Sequence, residues 1–542
     1  MADEMPNSVA AQRKRADRAW ALHAGWDPIY QDVHDYVIPL RRTGSAGSSK
    51  SMADMLFDMT GPAAVMHHAG QLQRLLFSSA PVLQAGPLVR QEKAAFGARG
   101  MRELDMLDRE LERTGEFIYP FMQAGNLDTS MHEACIELTV GTGIVIPMRG
   151  TPQRPIIFFA PPAHEVALWG DMYGEVTLAS WKRSVQRGAL LEAMPNGKFS
   201  KEFKDASKGN AQDSEVTLYQ DFFRLPDGHW KFVAYVDQQC EQFLAEETYR
   251  TKPIATMRYY QVPGEIRGRG PVLLALPAIK VKNKAQELVL KAAALSMIGI
   301  WGYRANSGFN PDTAPMEPGA FWSMQSTGGI LGPDIVRLDP ASARYEIAQM
   351  LLEDHTQQIK DVLMDTRLTQ TNGTPKSASE VAALMQQGAN VHIGGFQRLW
   401  REGYPDIVPR CAEILASFGY LRGLMDFNQL LVSVGVRSPM AAAIEADRVA
   451  NVARYAEMAA ALNGGDPTKL PRHLHVDDAL DDMSKAMQVP RRLVPDDAQR
   501  AEFDKRQQAQ QEQAVMSEMA VKAAPQLAQG ALQVVEGGRQ AA

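Results

Sequence analysis

Two long helical stretches, separated by a segment rich in glycine and proline, constrain the fold of this chain more than any other feature. The first is Pro271–Ile298, and the second covers residues 340–365, after the intervening residues 302–339. Asp339 is a favourable N-cap for the second helix, and a proline follows it at the first helical position. About 20 helical residues span about 30 Å. The pattern therefore predicts two rods, with Pro277 either beginning the first rod or kinking it.

The composition is typical of a globular protein. The chain has 542 residues, of which 45% are hydrophobic and 22% are charged, so it can bury a sizeable core in about two to four packed units. Its 57 basic and 63 acidic residues give a net charge of −6. The absence of a basic excess argues against a tight, sequence-reading DNA binder. It is compatible with a conduit through which DNA slides, because strong phosphate contacts would slow the sliding.

The cysteines and the apolar segments bear on where the chain folds. Cys135, Cys240 and Cys411 are far apart and form no motif, which favours folding in a reducing cytosol without a disulfide framework. Residues 1–18 lack the apolar core of a signal peptide. No stretch approaches the ~20 apolar residues of a membrane helix. We expect a soluble protein.

Hydrophobic periodicity predicts a mainly helical α+β fold. Helical spacing covers residues 8–40, 62–77, 101–122 and 129–140. A period of two then takes over, with hairpin turns at residues 170–174 and 226–228, which predicts a small β-barrel-like unit at about residues 144–262.

Helical patterning returns after the two rods. A polar loop covers residues 366–376, and Ser377 with Glu380 forms a capping box that opens a further helix. We expect this helix to be interrupted at Gly388 and at Gly394–Gly395 and to continue towards Leu415. Residues 438–542 are mostly helical in propensity.

Two glycine-containing segments could be mistaken for phosphate-binding motifs. Gly373-Thr374-Pro375-Lys376 lacks the glycine before the lysine, and Pro375 removes an N–H that a phosphate cradle needs. Gly268-Arg269-Gly270 is too short for a dinucleotide fingerprint and is better interpreted as a turn into the first rod.

Histidines and cysteines offer no convincing catalytic or metal site. His67, His68, His473 and His475 belong to no recognised ligand spacing, so we interpret them as surface or packing residues. Cys135 lies in an apolar helical context typical of a buried thiol. We therefore predict no catalytic residue, no cofactor and no metal, and not an enzyme.

An ordered set of segments carries a resemblance to a known family. The set is Tyr30 through Pro39 followed by a Ser/Gly loop, Gly61 through Phe77, Gly125 through Gly143, Gly268 through Pro271, and Thr366 through Glu380. In this order the segments resemble the portal (head-to-tail connector) family of short-tailed bacteriophages, over about Ser8 to Phe418.

The resemblance implies a portal fold with long stem helices and a helical C-terminal crown. Its expected parts are a wing (1–263), a first stem helix (264–299), a clip (300–339), a second stem helix (340–365), a tunnel loop (366–376), a kinked wing helix and return (377–436), and a crown with C-terminal tail (437–542).

The resemblance also implies a function. Such proteins form a ring, expected to have twelve copies, at the unique vertex of the capsid. The ring is a channel for DNA packaging and ejection and a docking site for terminase and then the tail. The implied partners are the major capsid protein, the scaffolding protein, the terminase large subunit, the tail adaptor protein and double-stranded DNA without sequence preference, but no membrane. The implied location is the virion, after folding in the host cytoplasm.

The second stem helix supplies acidic candidates for the wall of the channel. These are Glu346, Glu353, Asp354 and Asp361. The first stem helix is basic, and its lysines are expected to pair with acidic groups of the same or a neighbouring subunit. Lys280, Lys284, Glu287 and Lys291 share one helical face by their spacing. The alternative is two ordinary solvated helix faces.

The tunnel loop supplies candidates for contact with DNA. These are Arg367, Gln370, Asn372 and Lys376. Repeated around a ring, even one cation per subunit gives a collar that faces phosphate groups. An ordinary solvent loop is the alternative. For the whole chain, the alternatives are another phage structural protein, such as a tail adaptor, or a helical enzyme of unknown chemistry.

Overall fold

The structure is a computed structural model. It describes residues 8–41, 55–77, 79–195, 197–207, 213–237, 242–298, 301–303, 335–337, 345–365, 393–421, 431–436, 439–462, 474–487, 489, 493–495 and 499–514.

Helices dominate the described residues on both sides of the strand-rich middle. They are α1 (Val9–His23), α2 (Asp27–Tyr36), α3 (Thr60–Leu76), α4 (Pro87–Ala94), α5 (Gly97–Ala124), α6 (Leu127–Val140), α7 (Arg187–Ala193), α8 (Lys201–Ala206), α9 (Pro271–Ile298), α10 (Tyr345–Val362), α11 (Ile393–Glu402), α12 (Tyr404–Ser417), α13 (Pro439–Leu462) and α14 (Val476–Ala486). Residues 499–514 are also helical. The predicted helices before the β region are confirmed within a few residues, apart from the break between α1 and α2.

Strands are concentrated in the middle of the chain. They are β1 (Pro81–Ala85), β2 (Thr142–Thr151), β3 (Arg154–Phe159), β4 (Val166–Gly170), β5 (Val176–Gln186), β6 (Glu215–Arg224), β7 (Trp230–Val236), β8 (Ala245–Tyr249), β9 (Ala255–Arg258), β10 (Tyr260–Gln261), β11 (Gly268–Arg269), β12 (Trp301–Tyr303), β13 (Ile335–Arg337) and β14 (Val432–Val436). The described residues are 59% helical and 20% strand, which confirms a mainly helical α+β protein.

The predicted β-barrel-like unit is wrong in one respect, because the sheets are open. Strands β4 to β8 form one five-stranded antiparallel sheet in sequential order, and β3, β2 and β9 form a three-stranded sheet. Helices bury the large sheet on both sides. Leu190 of α7 and Phe203 of α8 enter the core on one face, and Val9 and Ala19 of α1 pack on the other. The sheet therefore buries its apolar surface against helices instead of closing on itself.

Both predicted hairpins are confirmed. Strands β4 and β5 meet across the turn at residues 171–175, where Gly174 has a φ of 82°. Strands β6 and β7 meet across residues 225–229, where Gly228 has a φ of 89°. Glycine adopts such positive φ values without steric cost, so both turns close tightly.

A buried polar network attaches α1 to the large sheet. Asp221 of β6 accepts hydrogen bonds from Gln12 Nε2 at 2.8 Å and from the Tyr235 hydroxyl at 2.9 Å. Trp20 Nε1 donates to Ser180 Oγ at 3.1 Å. Burial raises the pKa of Asp221 to about 6, because an ionised carboxylate loses its hydration inside the protein.

Three glycines bring the start of α9 against the end of α6. Gly270 N donates to Val140 O at 2.7 Å, and Gly268 N donates to Thr142 Oγ1 at 2.9 Å. A Cβ at Gly270 would lie 2.2 Å from the carbonyl oxygen of Thr139, and one at Gly141 would lie 2.1 Å from that of Gly268. The turn at Gly141 and the turn at Gly268 to Gly270 therefore meet in one backbone contact.

Helix α9 begins at Pro271, immediately after these glycines, as predicted. Pro277 lies inside the helix and does not begin it. Its side chain is exposed, so the pyrrolidine ring projects into solvent. The helix lacks one backbone hydrogen bond there because proline has no N–H.

The predicted interruption at Gly394–Gly395 stays a prediction, because residues 377–392 before α11 lie outside the described residues. Both glycines lie inside α11, and the described chain breaks at Gly403, between α11 and α12. A Cβ at Gly395 would lie 2.8 Å from the Tyr259 ring, so this glycine permits close packing of a helix against an aromatic side chain. Gly388 and the capping box at Ser377 and Glu380 lie outside the described residues.

The chain forms two compact units. One contains residues 1–82, 115–427 and 434–440, and the other contains residues 83–114, 428–433 and 441–542. In the second unit the buried Asp108 accepts hydrogen bonds from Ala85 N at 2.7 Å and from Arg90 Nη2 at 2.9 Å. The helices α13, α14 and 499–514 confirm the helical propensity of this part of the sequence.

The buried carboxyl of Asp221 makes stability depend on pH. Its folded pKa of about 6 exceeds its usual value of 3.8, so its contribution to stability is present below about pH 4 and is lost as pH rises towards 6. Relative to the parent protein, the free energy of unfolding of Asp221→Asn is expected to increase by about 2–3 kcal/mol as pH rises from 4 to 7. Unfolding followed by tryptophan fluorescence measures this difference. Asp213→Asn, at an exposed position, is the control, and a pH-independent difference for Asp221→Asn would contradict the assignment.

The glycine contact predicts a specific cost of adding a methyl group. Gly270→Ala is expected to lower the free energy of unfolding by about 1–3 kcal/mol, because the Cβ clashes with backbone that cannot rotate away. Gly70→Ala in α3, where nothing lies within 4 Å of the added carbon, is the matched control and is expected to be neutral or slightly stabilising. Equal losses for the two variants would exclude a packing role for Gly270.

Candidate functional site

Helices α9 and α10 form a two-helix rod, as the sequence predicts. They pack against each other, and between them along the chain β12 pairs antiparallel with β13 in the register Trp301↔Arg337 and Tyr303↔Ile335. Residues 338–344, with the proposed N-cap Asp339, and the clip residues 304–334 lie outside the described residues.

One end of the rod is fixed to the rest of its unit, and we call this end the root. Asn283 accepts hydrogen bonds from Phe57 N at 2.7 Å and Asp58 N at 3.0 Å, and donates to Met55 O at 2.9 Å. Ile279 packs against Gly61, where a Cβ would lie 3.0 Å from Ile279 Cδ1. Helix α9 is therefore fastened to α3 and to the segment before it.

Ion pairs add to the root. Lys282 lies 3.1 Å from Asp58, and both side chains are largely buried. Lys280 pairs with Asp32 of α2. The predicted pairing of the basic helix with acidic groups of its own chain is thus confirmed for these two lysines. Ile359 of α10 and Leu363, immediately after α10, are fully buried at the same end of the rod, next to α3.

Beyond the root, the charges of α9 pair within the helix. Glu287 lies 2.8 Å from Lys284 and 2.6 Å from Lys291, which confirms the shared face predicted for these three residues. The two lysine hydrogen bonds lower the pKa of Glu287. Lys280, which the spacing predicts to share this face, pairs with Asp32 of α2 instead.

The acidic candidates of α10 are exposed. Glu353 accepts a hydrogen bond from Gln349 at 3.3 Å. Asp354 accepts from Gln358 at 2.9 Å, and Asp361 accepts from Gln357 at 2.7 Å. Because amide donors are neutral, these bonds orient the carboxylates without neutralising them. Glu346 belongs to α10, but its side chain lies outside the described residues.

The tunnel-loop candidates cannot be placed next to the rod. Arg367, Gln370, Asn372 and Lys376 all lie outside the described residues. The chain becomes described again at Ile393, where α11 begins.

A row of charged contacts holds the segment after the tunnel loop, and sequence reasoning missed it. Glu402 at the end of α11 accepts from Arg258 Nε at 3.1 Å and from the Arg258 backbone N at 2.8 Å. Lys252 pairs with Asp406 at 2.6 Å, and Glu413 accepts from Arg250 N at 3.0 Å. These partners are about 150 residues apart, so no local pattern could reveal them.

A buried arginine fastens the first two helices close to the start of α9. Arg267 donates to the Tyr30 hydroxyl at 2.7 Å and to Ala163 O at 2.9 Å, and lies 2.7 Å from His23 Nδ1. Burial, followed by the charge of Arg267, lowers the pKa of His23 to about 3, so this imidazole is neutral. The cluster is a structural support for the root.

Other potential sites show no arrangement for chemistry. The Cys135 and Cys411 thiols are fully buried, and burial raises the pKa of both, as expected for structural thiols. A surface cavity of about 320 Å³ contains Arg154, but this guanidinium already donates to Ala124 O and Asn126 Oδ1.

Across the described ranges, no group of three or more His, Cys, Asp or Glu side chains is arranged to hold a metal ion. His68 is buried beside Tyr259, which confirms its interpretation as a packing residue. None of the helices in the described part of the chain combines the length and apolarity that crossing a bilayer requires.

Solved structures of phage-like particles show distant similarity. The virion of a native gene transfer agent particle and the neck of an empty one, computed with C6 symmetry, each share 10% identity with this chain, at TM-scores of 0.32 and 0.34. The neck of a native particle, computed with C12 symmetry, shares 12% at a TM-score of 0.29. In all three, 77% of this chain and 88% of the other chain are covered. Because these identities and TM-scores are low, the similarities do not contribute to the assignment of a family.

Comparison with protein families identifies the family of this chain. No curated protein matches the chain. Residues 10–494 match the family described as bacteriophage head to tail connecting protein. Because this match covers α1 to α14 and most of the 542 residues, the chain belongs to the family of bacteriophage head-to-tail connecting proteins.

Proposed function

We propose that this connector is a portal subunit whose α9–α10 rod lines the channel through which double-stranded DNA enters and leaves the head. The observation that carries the proposal is the contrast between the side of the rod that is fixed to its unit and the side that faces solvent. The root is fixed by Asn283, Lys282 and Gly61, whereas α10 presents Glu353, Asp354 and Asp361 to solvent, and the donors that the described residues supply to them are neutral amides.

An acidic wall suits a passage for DNA. Cationic contacts to phosphates release counterions and hold DNA tightly. Carboxylates repel the phosphates, and at physiological salt this repulsion extends only about 8 Å. A ring of such rods keeps the duplex away from the wall without gripping it, so the DNA can slide.

The remaining assignments complete the proposal. We assign the ring, expected to have twelve copies, to the capsid vertex after folding in the host cytoplasm. The tunnel loop, with Arg367, Gln370, Asn372 and Lys376, faces DNA. The clip docks the terminase large subunit and then the tail adaptor. The wing and crown contact the major capsid and scaffolding proteins.

The proposed role is mechanical, so it assigns no reaction to the chain. The family is a structural connector, which supports this assignment. Native mass measurement and negative-stain images test the assembly itself. A ring with a central hole wide enough for duplex DNA is expected, whereas compact monomers would favour an enzyme of unknown chemistry.

Reversing the acidic wall is expected to impair packaging. In Glu353→Lys with Asp354→Lys, the wall gains cations that hold phosphate, so heads assembled with this ring should contain shorter DNA, more so at low salt. The measurement is the length of packaged DNA at two salt concentrations. Glu192→Lys with Asp213→Lys changes the net charge equally at exposed positions outside the rod. Normal DNA length and retention with the rod variant would exclude Glu353 and Asp354 from the channel wall.

The tunnel loop is tested by a deletion. Removing residues 370–373 should leave ring assembly intact, as checked by native mass, and reduce packaging, because the polar collar around DNA is lost. Packaging at the parental level by an intact ring of this variant would refute a channel role for the loop.

A further inference from the structure

Helix α9 carries a stripe of exposed apolar side chains that nothing in its own described unit covers. Leu274, Val281 and Leu288 are 71%, 53% and 56% exposed. They recur every seven residues, so they lie nearly in line along one side of the helix. We call these three residues the α9 stripe.

The opposite side of the same helix is already buried. Val272, Ala275 and Ile279 are at most 2% exposed, and Ile279 packs against Gly61 of α3. Helix α9 is therefore apolar on two opposite sides. A helix that packs against a single neighbour usually has one apolar side and a polar side opposite it. A heptad-spaced apolar stripe in solvent is typical of a surface that another helix covers.

The rod offers a second exposed apolar surface, on α10. Met350 is 75% exposed and Leu351 is 55% exposed, and Asp354 lies one turn from Met350. Both side chains belong to the first half of α10, and Leu288 belongs to the second half of α9. Since the root contains the first half of α9 and the end of α10, Leu288 and Leu351 lie in the same half of the rod.

Charge favours a second copy of this chain as the occupant. The α9 stripe is flanked by Lys284 and Lys291, and the apolar surface of α10 is flanked by Asp354 and Gln358. A basic, apolar edge meets an acidic, apolar edge only when two different surfaces join. Such a head-to-tail contact closes into a ring when the rotation between copies allows it.

We propose that the α9 stripe of one subunit packs along α10 of the adjacent subunit, where Leu288 meets Met350 and Leu351 and where Asp354 lies at the border between this contact and the channel. The proposal rests on the ring of the proposed function and assigns its contact surface. Glu353 and Leu351 are two residues apart, about 200° around the helix. The Leu351 edge of α10 therefore meets the neighbour, and the Glu353 edge remains for the channel.

Charged substitutions in the stripe test its role in assembly. In Val281→Glu with Leu288→Glu, both side chains are already in solvent, so the subunit should fold as the parent does by circular dichroism. The fraction of ring at micromolar concentration, measured by native mass, should fall at least tenfold. Leu22→Glu in α1, at a residue that is 61% exposed, is the matched control and should assemble normally. A normal ring from the stripe variant would overturn this inference and leave the proposed channel intact.

Cross-linking identifies the two surfaces that meet. Chains carrying only Leu288→Cys are mixed with chains carrying only Leu351→Cys and treated with a short bismaleimide. We expect a covalent dimer in the mixture and none in either chain alone, because the contact joins different surfaces. A dimer of Leu288→Cys with itself would contradict the head-to-tail pairing, as would an intact ring without cross-links. A parent chain that is monomeric throughout would instead refute the ring of the proposed function.

Discussion

The contact between two glycine-containing turns supports everything that the rod does. Gly141 follows α6, and Gly268 and Gly270 precede α9, and their backbones approach so closely that any side chain would overlap a carbonyl group. Hydrogen bonds from Gly268 and Gly270 fix the direction in which α9 leaves the β region. A helix of 28 residues amplifies any change of angle at its start, so the far end of the rod depends on this contact.

The rod combines two environments along one helix. Near the root, Lys282 and Asn283 are buried and satisfied by partners before α3, which makes this part rigid. Farther along, Lys284 and Lys291 pair with Glu287 of the same helix, and leucines face solvent. A subunit that fixes one end of a rod and leaves apolar side chains on its flank is suited to repetition around an axis. The proposed channel and the proposed subunit contact would then both follow from the same geometry.

The row of ion pairs from Arg258 to Glu413 complements the root on the other side of the tunnel loop. Glu402, Asp406 and Glu413 hold α11 and α12 on the strand segment that leads to β9. The described segment that begins at Ile393, after the proposed tunnel loop, is thereby fixed to the same β region from which α9 departs. Most of these hydrogen bonds join partly buried groups, where solvent screens charges less than at the surface.

The sequence by itself determined the local elements. Helical periodicity fixed α9 at both ends, and the turns at Gly174 and Gly228 fixed the hairpins, because both depend on neighbouring residues. Sequence also identified the family through the order of these elements. Only the tertiary structure decided that the sheets stay open, that Gly395 packs against Tyr259 inside a helix, and that Asp221 is buried beneath α1. Those outcomes depend on which distant segments cover an apolar face or form hydrogen bonds with a buried polar group. Hydrophobic periodicity is local, so it does not identify those distant segments.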